Sequence, residues 1–410
     1  MYDRILVRFG DSTLKGKNKK DFLNRIYNLT RNKLEGLNVT LEKKHDRLFV
    51  ILNDTKYEDV VERLNLVSGV HSYSPVVKCE SDIEVIKETA LKLIQETVKE
   101  PTTYKVETKR ANKQFSLTSQ EVSLAVGGYV LKNYDQYLKV DVHNPKTVLH
   151  IDVKDQYTYI YTIVIKGLGG FPTGILGKGL LMISGGIDSP VAGFLSMKQG
   201  IEVECIHFES TPLTSIESAQ KVIDLVKKMA KYSYNNKIKL HLVPFMNLHQ
   251  ELLSKVPESY NITIMRRLMY RIAEKVAQKN DCVVLINGES VGQVASQTLH
   301  SMQVVNNVTN MPVLRPLVTY DKNEIVNISK KIDTFNISIK PFEDCCTVYV
   351  PKSPVTKPHL DKAIQYEEKI DIETEVNKCV ENTISVKIES NSDLDITLLG
   401  LEVKECFSNM

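Results

Sequence analysis

Apolar runs in this 410-residue chain fall far short of the roughly 20 residues that cross a bilayer. One of the longest, Gly179-Leu180-Leu181-Met182-Ile183, stops after five, so no membrane span is expected. The amino end enters a strand-like alternation at once (Arg4-Ile5-Leu6-Val7), without a basic segment, an apolar core or a small-residue cleavage site. A cytoplasmic protein is therefore expected. Cysteine is scarce: seven are scattered from Cys79 to Cys406 without one C-x-x-C pair, which excludes a disulfide framework and gives no zinc motif. With 19 glycines and 14 prolines, collagen-like and low-complexity chains are excluded as well. What remains, 42% hydrophobic and 25% charged, is the composition of a soluble globular protein, and the length predicts two to four domains.

The net charge of +3 hides an asymmetry. Residues 1–50 hold 12 Lys/Arg against 6 Asp/Glu, whereas residues 359–410 hold 5 against 12. The basic end could attract a polyanion in a salt-sensitive way, or simply be a solvated face. Two clusters stand out: Lys15, Lys17, Lys19 and Lys20, and Lys109, Arg110 and Lys113 with Phe115. Each alone reads equally as surface charge.

Hydrophobic periodicity predicts a small α+β module over residues 1–59: a strand at 5–9, a helix at 21–34, and strands at 39–43 and 47–52. A second, mixed α/β module over 60–166 has helices at 82–99 and 118–133 and strands at 103–108, 139–142, 148–153 and 157–165. The Gly/Pro-dense stretch 167–175 reads as a linker. Beyond it, from 176 to 410, apolar strands at 180–183, 203–208, 239–243 and 283–286 alternate with helices. That pattern predicts an open, doubly wound α/β domain with ligands at the carboxyl ends of a parallel sheet. The acidic tail shows weak strand signals at 383–388 and 394–401, and is expected away from any RNA, packed on the last domain or mobile.

The sharpest local signal is Met182-Ile183-Ser184-Gly185-Gly186-Ile187-Asp188-Ser189-Pro190: a buried strand, a glycine turn and a helix start. Ser189 is a candidate cap, Pro190 suits the first helical turn, and Gly185 and Gly186 let backbone N–H groups approach phosphate. A Walker A loop is excluded, because Gly177-Lys178-Gly179 lacks both the upstream glycine and the hydroxyl after lysine. Ser-Gly-Gly-x-Asp-Ser closely resembles the pyrophosphate loop of the PP-loop ATP pyrophosphatases, which split ATP into AMP and pyrophosphate. Beside pyrophosphate, the Asp188 carboxylate implies an intervening Mg2+; its alternative is a helix cap.

Other segments are similar to one branch of that superfamily, ThiI, the tRNA 4-thiouridine synthetases. They are Arg8-Phe9-Gly10-Asp11, Leu14 to Asn18, Lys105 to Lys113, Gly167 to Gly174, Asn287-Gly288-Glu289-Ser290 through Gln297-Thr298, and Arg315-Pro316-Leu317 with Asp321-Lys322. The resemblance implies an N-terminal ferredoxin-like domain, a THUMP domain and a C-terminal PP-loop ATP pyrophosphatase domain, with ATP and Mg2+ as cofactors. It further implies that the first two domains hold tRNA, through residues such as Lys15, Lys17, Lys109, Arg110 and Lys113. The third would convert the uridine at the eighth position to 4-thiouridine.

By the same resemblance Met182, Ile183, His207 and Phe208 line an adenine pocket. Ser184, Gly185, Gly186 and Ser189, with Arg266 or Arg267, Gly288 and Gln297, complete the ATP site. Lys322 would stabilise charge on the activated substrate. Read from the residues alone, His207 is as readily a structural hydrogen-bonding residue and Lys322 a solvated lysine. Of Arg266 and Arg267, one would reach phosphate while the other faces solvent.

Adjacent Cys345 and Cys346 follow Glu343-Asp344 and precede Lys352-Ser353-Pro354. On their own they read as two ordinary thiols; the family pattern makes Cys345 the catalytic cysteine. The two acids should raise its thiol pKa, which favours a persulfide over a bare thiolate. Fewer than sixty residues follow Pro354, too few for the rhodanese domain of some members. A separate pyridoxal-phosphate cysteine desulfurase is then the expected sulfur donor. Reductive turnover would use Cys346, Cys205, Cys406 or an external thiol. Sulfur transfer to a carrier protein for thiamine synthesis and non-catalytic RNA binding are the alternative functions, and a homodimer is expected.

Overall fold

The computed structural model describes residues 2–10, 19–44, 47–294, 296–342 and 353–408. Lys15, Lys17, Glu343, Asp344, Cys345 and Cys346 lie outside the described residues. The chain divides into two compact units, Met1–Phe171 and Pro172–Met410.

In the first unit the elements are β1 (Arg4–Phe9), α1 (Lys19–Lys33), β2 (Thr40–Lys43), β3 (Arg47–Ile51), α2 (Tyr57–Leu64), β4 (Val70–Glu80) and α3 (Ile83–Thr97). They continue with β5 (Thr102–Arg110), α4 (Ser119–Asn133), β6 (Leu138–Val140), β7 (Thr147–Val153), β8 (Tyr157–Tyr161) and β9 (Ile165–Lys166). The strands form one nine-stranded sheet, β2-β3-β1-β4-β8-β7-β5-β6, with β9 also on β4. The eleven-residue β4 joins its two parts. Its first residues pair antiparallel with β1 (Arg4↔Val76 to Phe9↔Val70), and its last with β8 (Val77↔Ile160 to Glu80↔Tyr157). Helix α3 starts where Asp82 accepts from Glu84 N and Val85 N, and α4 where Thr118 and Glu121 form a reciprocal capping box. Both bury Ile86, Ala90, Leu93, Val122, Val126 and Val130 against Tyr104, Leu149 and Ile151 of the sheet.

The end of α1 places a lysine inside. Lys33 is only 2% exposed, and burial, aided by the Arg63 charge, pulls its ammonium pKa down to about 7. The folded chain therefore sheds a proton that the unfolded chain keeps up to its ordinary value of 10.5. Stability should rise with pH across that window by up to about 1.4 kcal/mol per pH unit. Lys33→Met should flatten this slope, as read from urea midpoints between pH 7 and pH 10.

The segment expected as a linker is pinned at both ends. Gly167 N donates to His71 O and Gly169 N to Val70 O, both at 2.8 Å, and a Cβ on Gly167 would stand 2.3 Å from Val70 O. In the second unit, Gly174 N and Leu176 N both donate to Gly200 O at 3.0 Å.

The second unit comprises β10 (Lys178–Met182), α5 (Asp188–Lys198), β11 (Glu202–Glu209), α6 (Ile216–Ala230), β12 (Lys237–Pro244), α7 (Met246–Lys255), α8 (Asn261–Lys279), β13 (Val284–Ile286) and α9 (Leu299–Asn306). There follow β14 (Val313–Leu314), α10 (Lys322–Lys331), α11 (Phe335–Ser338), α12 (Leu360–Glu367), α13 (Ile372–Glu381), β15 (Ile384–Glu389) and α14 (Val403–Ser408). The sheet order is β14-β13-β10-β11-β12-β15. The first five strands run parallel, as apolar strands separated by helices predict. The acidic tail closes the edge: β15 lies antiparallel on β12 (Lys237↔Glu389 to Leu242↔Ile384).

The second strand expected in the tail, at 394–401, is instead a short 3-10 turn at Ile396–Leu398. Asp395 accepts from Thr397 N (3.0 Å) and Thr397 Oγ1 (2.6 Å), a local capping bond that competes with extended backbone. The tail is packed: Ala363, Ile370, Val376, Cys379 and Val380 join the core formed by α8, Phe208 and Phe245. Among the described residues, no helix is long and apolar enough to cross a membrane.

Candidate functional site

The glycine turn leaves the carboxyl end of β10 and enters α5, the place where an open α/β sheet binds ligands. Ser189 was expected to cap the helix, but the helix already begins at Asp188, with Ile187 at the capping position in a helical conformation. The Ser189 hydroxyl turns back instead. It accepts from Ser184 N (3.0 Å), donates to Ser184 O (3.2 Å) and lies 3.2 Å from Ser184 Oγ. This staple holds the loop closed, while Gly186 N donates to Ser184 Oγ at 3.4 Å.

Two neighbours fix the turn from outside. A Cβ on Gly288, in the loop after β13, would fall 2.8 Å from Asp188 C and from Ser189 N. Only glycine lets the two backbones approach so closely, because neither contacted atom can swing aside. Gly288→Ala should push the loops apart and lower ATP-dependent turnover by roughly tenfold or more, as initial rates against ATP concentration would show.

On the other side, α10 starts with a capping box between Asp321 and Glu324, which places Lys322 in the first turn. Its Nζ donates to Asp188 Oδ1 at 2.6 Å, joining residues 134 apart in sequence. Lys322 is 48% exposed and Asp188 23%, so the pair is open to a solute.

The loop from Asn287 to Gln297 rests on a buried polar network. Asn287 Nδ2 donates to Tyr270 OH (2.5 Å) and to Glu289 Oε2 (2.9 Å), and Arg315 Nε donates to Glu289 Oε2 (2.8 Å). Arg266 from α8 pairs with Glu289 and donates to Ser296 O at 2.5 Å. Gln297 contributes a buried Oε1 with no hydrogen-bond partner among the described residues, an acceptor suited to a ligand donor. Glu289, Tyr270 and Arg315 had no role assigned from sequence; Glu289 and Arg315 stood inside the motif segments, but a local motif does not say which charges meet.

Of the two arginines on α8, Arg267 does not belong to this site. It is 1% exposed, bonds Glu367 through Nε (2.8 Å) and Nη2 (2.7 Å), and donates Nη1 to Val304 O (2.5 Å). The expectation that one arginine would face solvent also fails, because Arg266 is 15% exposed and occupied by the loop. Helical geometry turns successive residues about 100° apart, and here both directions meet protein.

His207, at the carboxyl end of β11, pairs Nδ1 with Ile183 O at 3.1 Å and is 4% exposed. Phe208, expected in an adenine pocket, points to the opposite face. Its ring packs edge-on against Phe245 (5.5 Å, 74°) within the core, following strand alternation. Met182 is partly buried on that same core, and Ile183 is 3% exposed.

Among the thiols proposed to resolve a persulfide, Cys205 is fully buried in β11 and burial pushes its pKa strongly up, so it is not an accessible partner. Cys406 is 2% exposed, donates to Ile396 O at 3.4 Å, and is likewise raised by burial and Glu405. Among the described residues, no group of three or more His, Cys, Asp or Glu could hold a metal ion. The single Asp188 carboxylate matches the way Mg2+ binds, through one or two carboxylates plus substrate phosphates and water.

In the first unit, Lys109 and Lys113 are exposed. Arg110 is drawn inward: its Nη1 donates to the carbonyls of Phe115 (2.9 Å), Leu117 (3.2 Å) and Lys113 (3.4 Å), ordering the loop after β5.

Three family models match successive parts of the chain between residues 4 and 372: a ThiI ferredoxin-like domain over residues 4–74, a THUMP domain over 80–163, and the thiamine biosynthesis protein ThiI over 174–372. A "Probable tRNA sulfurtransferase" of Acholeplasma laidlawii is 52% identical over 409 residues, covering 100% of this chain and 99% of its own length. One of Bacillus licheniformis is 46% identical, covering 95% and 97%. A crystal structure of a 4-thiouridine synthetase–RNA complex with bound ATP superposes with a TM-score of 0.86 at 34% identity, covering 95% of this chain and all of that one. The chain belongs to the ThiI family of tRNA sulfurtransferases.

Proposed function

We propose that this protein is an ATP-dependent tRNA sulfurtransferase that adenylates the uridine at the eighth position of tRNA and replaces its oxygen 4 with sulfur. The observation that carries the reading is the Asp188–Lys322 contact at the glycine turn, an anion-holding helix start with one carboxylate and one ammonium. Uridine O4 attacks the α-phosphorus of ATP and pyrophosphate leaves. Ser184, Gly185 and Gly186 hold the departing phosphates, Gly288 and Gln297 shape the nucleotide side, and Arg266 fixes their loop. Lys322 offsets charge on the α-phosphate as the bond breaks. Asp188 would hold Mg2+, which supplies charge neutralisation to the phosphates when bound.

Adenylation turns O4 into a good leaving group. The terminal sulfur of a Cys345 persulfide then attacks carbon 4, the carbon–oxygen bond breaks and AMP departs with its electron pair. The resulting mixed disulfide is cleaved by a thiol, which leaves the 4-thiouridine sulfur on the RNA and a disulfide on the protein side. With Cys205 and Cys406 buried, Cys346 or an external thiol serves as that reductant. A cysteine desulfurase supplies the persulfide sulfur. The first unit, through Lys109, Lys113 and the basic amino end with Lys15 and Lys17, holds tRNA by phosphate contacts, and the reaction belongs to the cytoplasm.

Incubation with unmodified tRNA, ATP, magnesium, cysteine and a desulfurase tests this. Pyrophosphate and a new near-ultraviolet absorbance in the RNA should appear together; neither product with correctly folded tRNA would refute it. The description of the matched family as a thiamine biosynthesis protein supports a second activity, sulfur transfer to a thiamine-pathway carrier protein.

A further inference from the structure

Helix α6 presents a buried ammonium to the chain that leads toward Cys345. Lys221 is 5% exposed, and its Nζ donates to Phe342 O at 2.7 Å and to Lys340 O at 3.2 Å. A little upstream, at the end of α11, Ser338 Oγ donates to Gly186 O at 3.2 Å, on the glycine turn itself. Residues 338–342 are therefore tied at one end to the nucleotide loop and at the other to α6.

Burying an ammonium is expensive, and main-chain carbonyls at a chain surface are satisfied by water without one. Retaining a lysine here has a use if the position of those carbonyls matters. Cys345 stands three residues past Phe342, so the chain can carry it no farther than about 11 Å from that residue.

We propose that Lys221 is a positioning residue for the sulfur-transfer step: by fixing the carbonyls of Lys340 and Phe342 beside the glycine turn, it sets the point from which Cys345 reaches the adenylated base. The inference rests on the function proposed above. Lys221 takes no part in the bond changes and moves no proton. The adenylation step uses Ser184 to Asp188 and Lys322, none of which is among the carbonyls that Lys221 holds. The two half-reactions should therefore separate when it is changed.

The test uses the full-length protein, loaded as persulfide by a desulfurase, with unmodified tRNA and magnesium ATP in single turnover. Pyrophosphate release and near-ultraviolet absorbance are followed in the same sample. Lys221→Met should slow thiolation by roughly tenfold to a hundredfold, while pyrophosphate release and the KM for ATP stay within about twofold of wild type, and Lys221→Arg should recover part of the loss. Thiolation at the wild-type rate in Lys221→Met would overturn the proposal, as would a parallel fall of both signals with no recovery by arginine. Should Lys221→Met fail to fold, Lys221→Gln must show the same split in milder form, and its absence is equally fatal. A wild-type protein that releases no pyrophosphate removes the underlying function first, and this inference with it.

Discussion

Asp188→Asn is expected to cut pyrophosphate release by about a thousandfold while leaving the protein folded. The substitution keeps the side chain's shape at the first residue of α5 and removes only its charge. Two things are lost together: the anion that holds Lys322 at 2.6 Å, and the carboxylate that would bind Mg2+ beside the phosphates. The stability cost should be small, about 0–1 kcal/mol, because Lys322 is half exposed and solvent screens the pair. Activity and stability therefore dissociate, which initial rates with saturating tRNA and urea midpoints would show on the same preparation. Lys322→Met should act in the same direction. The double variant should lose less than the product of the two single losses, since the residues touch. Near-wild-type turnover in Asp188→Asn would remove the anion site from the account.

Cys345→Ala is expected to produce the opposite split: pyrophosphate released, no thiolated RNA. Alanine has no sulfur to carry, so the bond to carbon 4 cannot form from this position. Pyrophosphate should then appear at close to one per tRNA and stop, leaving an adenylated RNA that hydrolyses slowly. The residue lies outside the described residues, so the expectation stands on its place after Glu343-Asp344 and three residues past Phe342. Continued growth of near-ultraviolet absorbance in this variant would transfer the sulfur role to another thiol and leave the adenylation chemistry intact.

How far the sequence could be read depended on whether a feature was local. The strands of the second unit were legible because continuous apolar runs such as Leu180–Ile183 carry their own signal, and α4 because Val122, Val126 and Val130 recur at helical spacing. The glycine turn was legible for the same reason: its residues act on one another within six positions. Partnership across the chain was not. The single strand β4 serves two parts of one sheet, which local alternation cannot reveal, since period two says which face a residue takes and nothing about its neighbour strand.

Arg266 and Arg267 could not be told apart until Glu289 and Glu367 arrived from other elements. Phe208 was misplaced because the family motif named a segment, whereas the pleat decides which of two adjacent side chains looks at the site. Ser189 was misassigned through a sound rule applied two residues late: the helix starts at Asp188 with Ile187 at the capping position, so the Ser189 hydroxyl staples Ser184 instead.

ATP is expected to be cut between its α and β phosphates. With unmodified tRNA and magnesium ATP, phosphorus NMR of the reaction should show AMP and pyrophosphate accumulating together, dependent on tRNA and lost in Asp188→Asn. Accumulation of ADP and inorganic phosphate, or an AMP signal unchanged in Asp188→Asn, would contradict it.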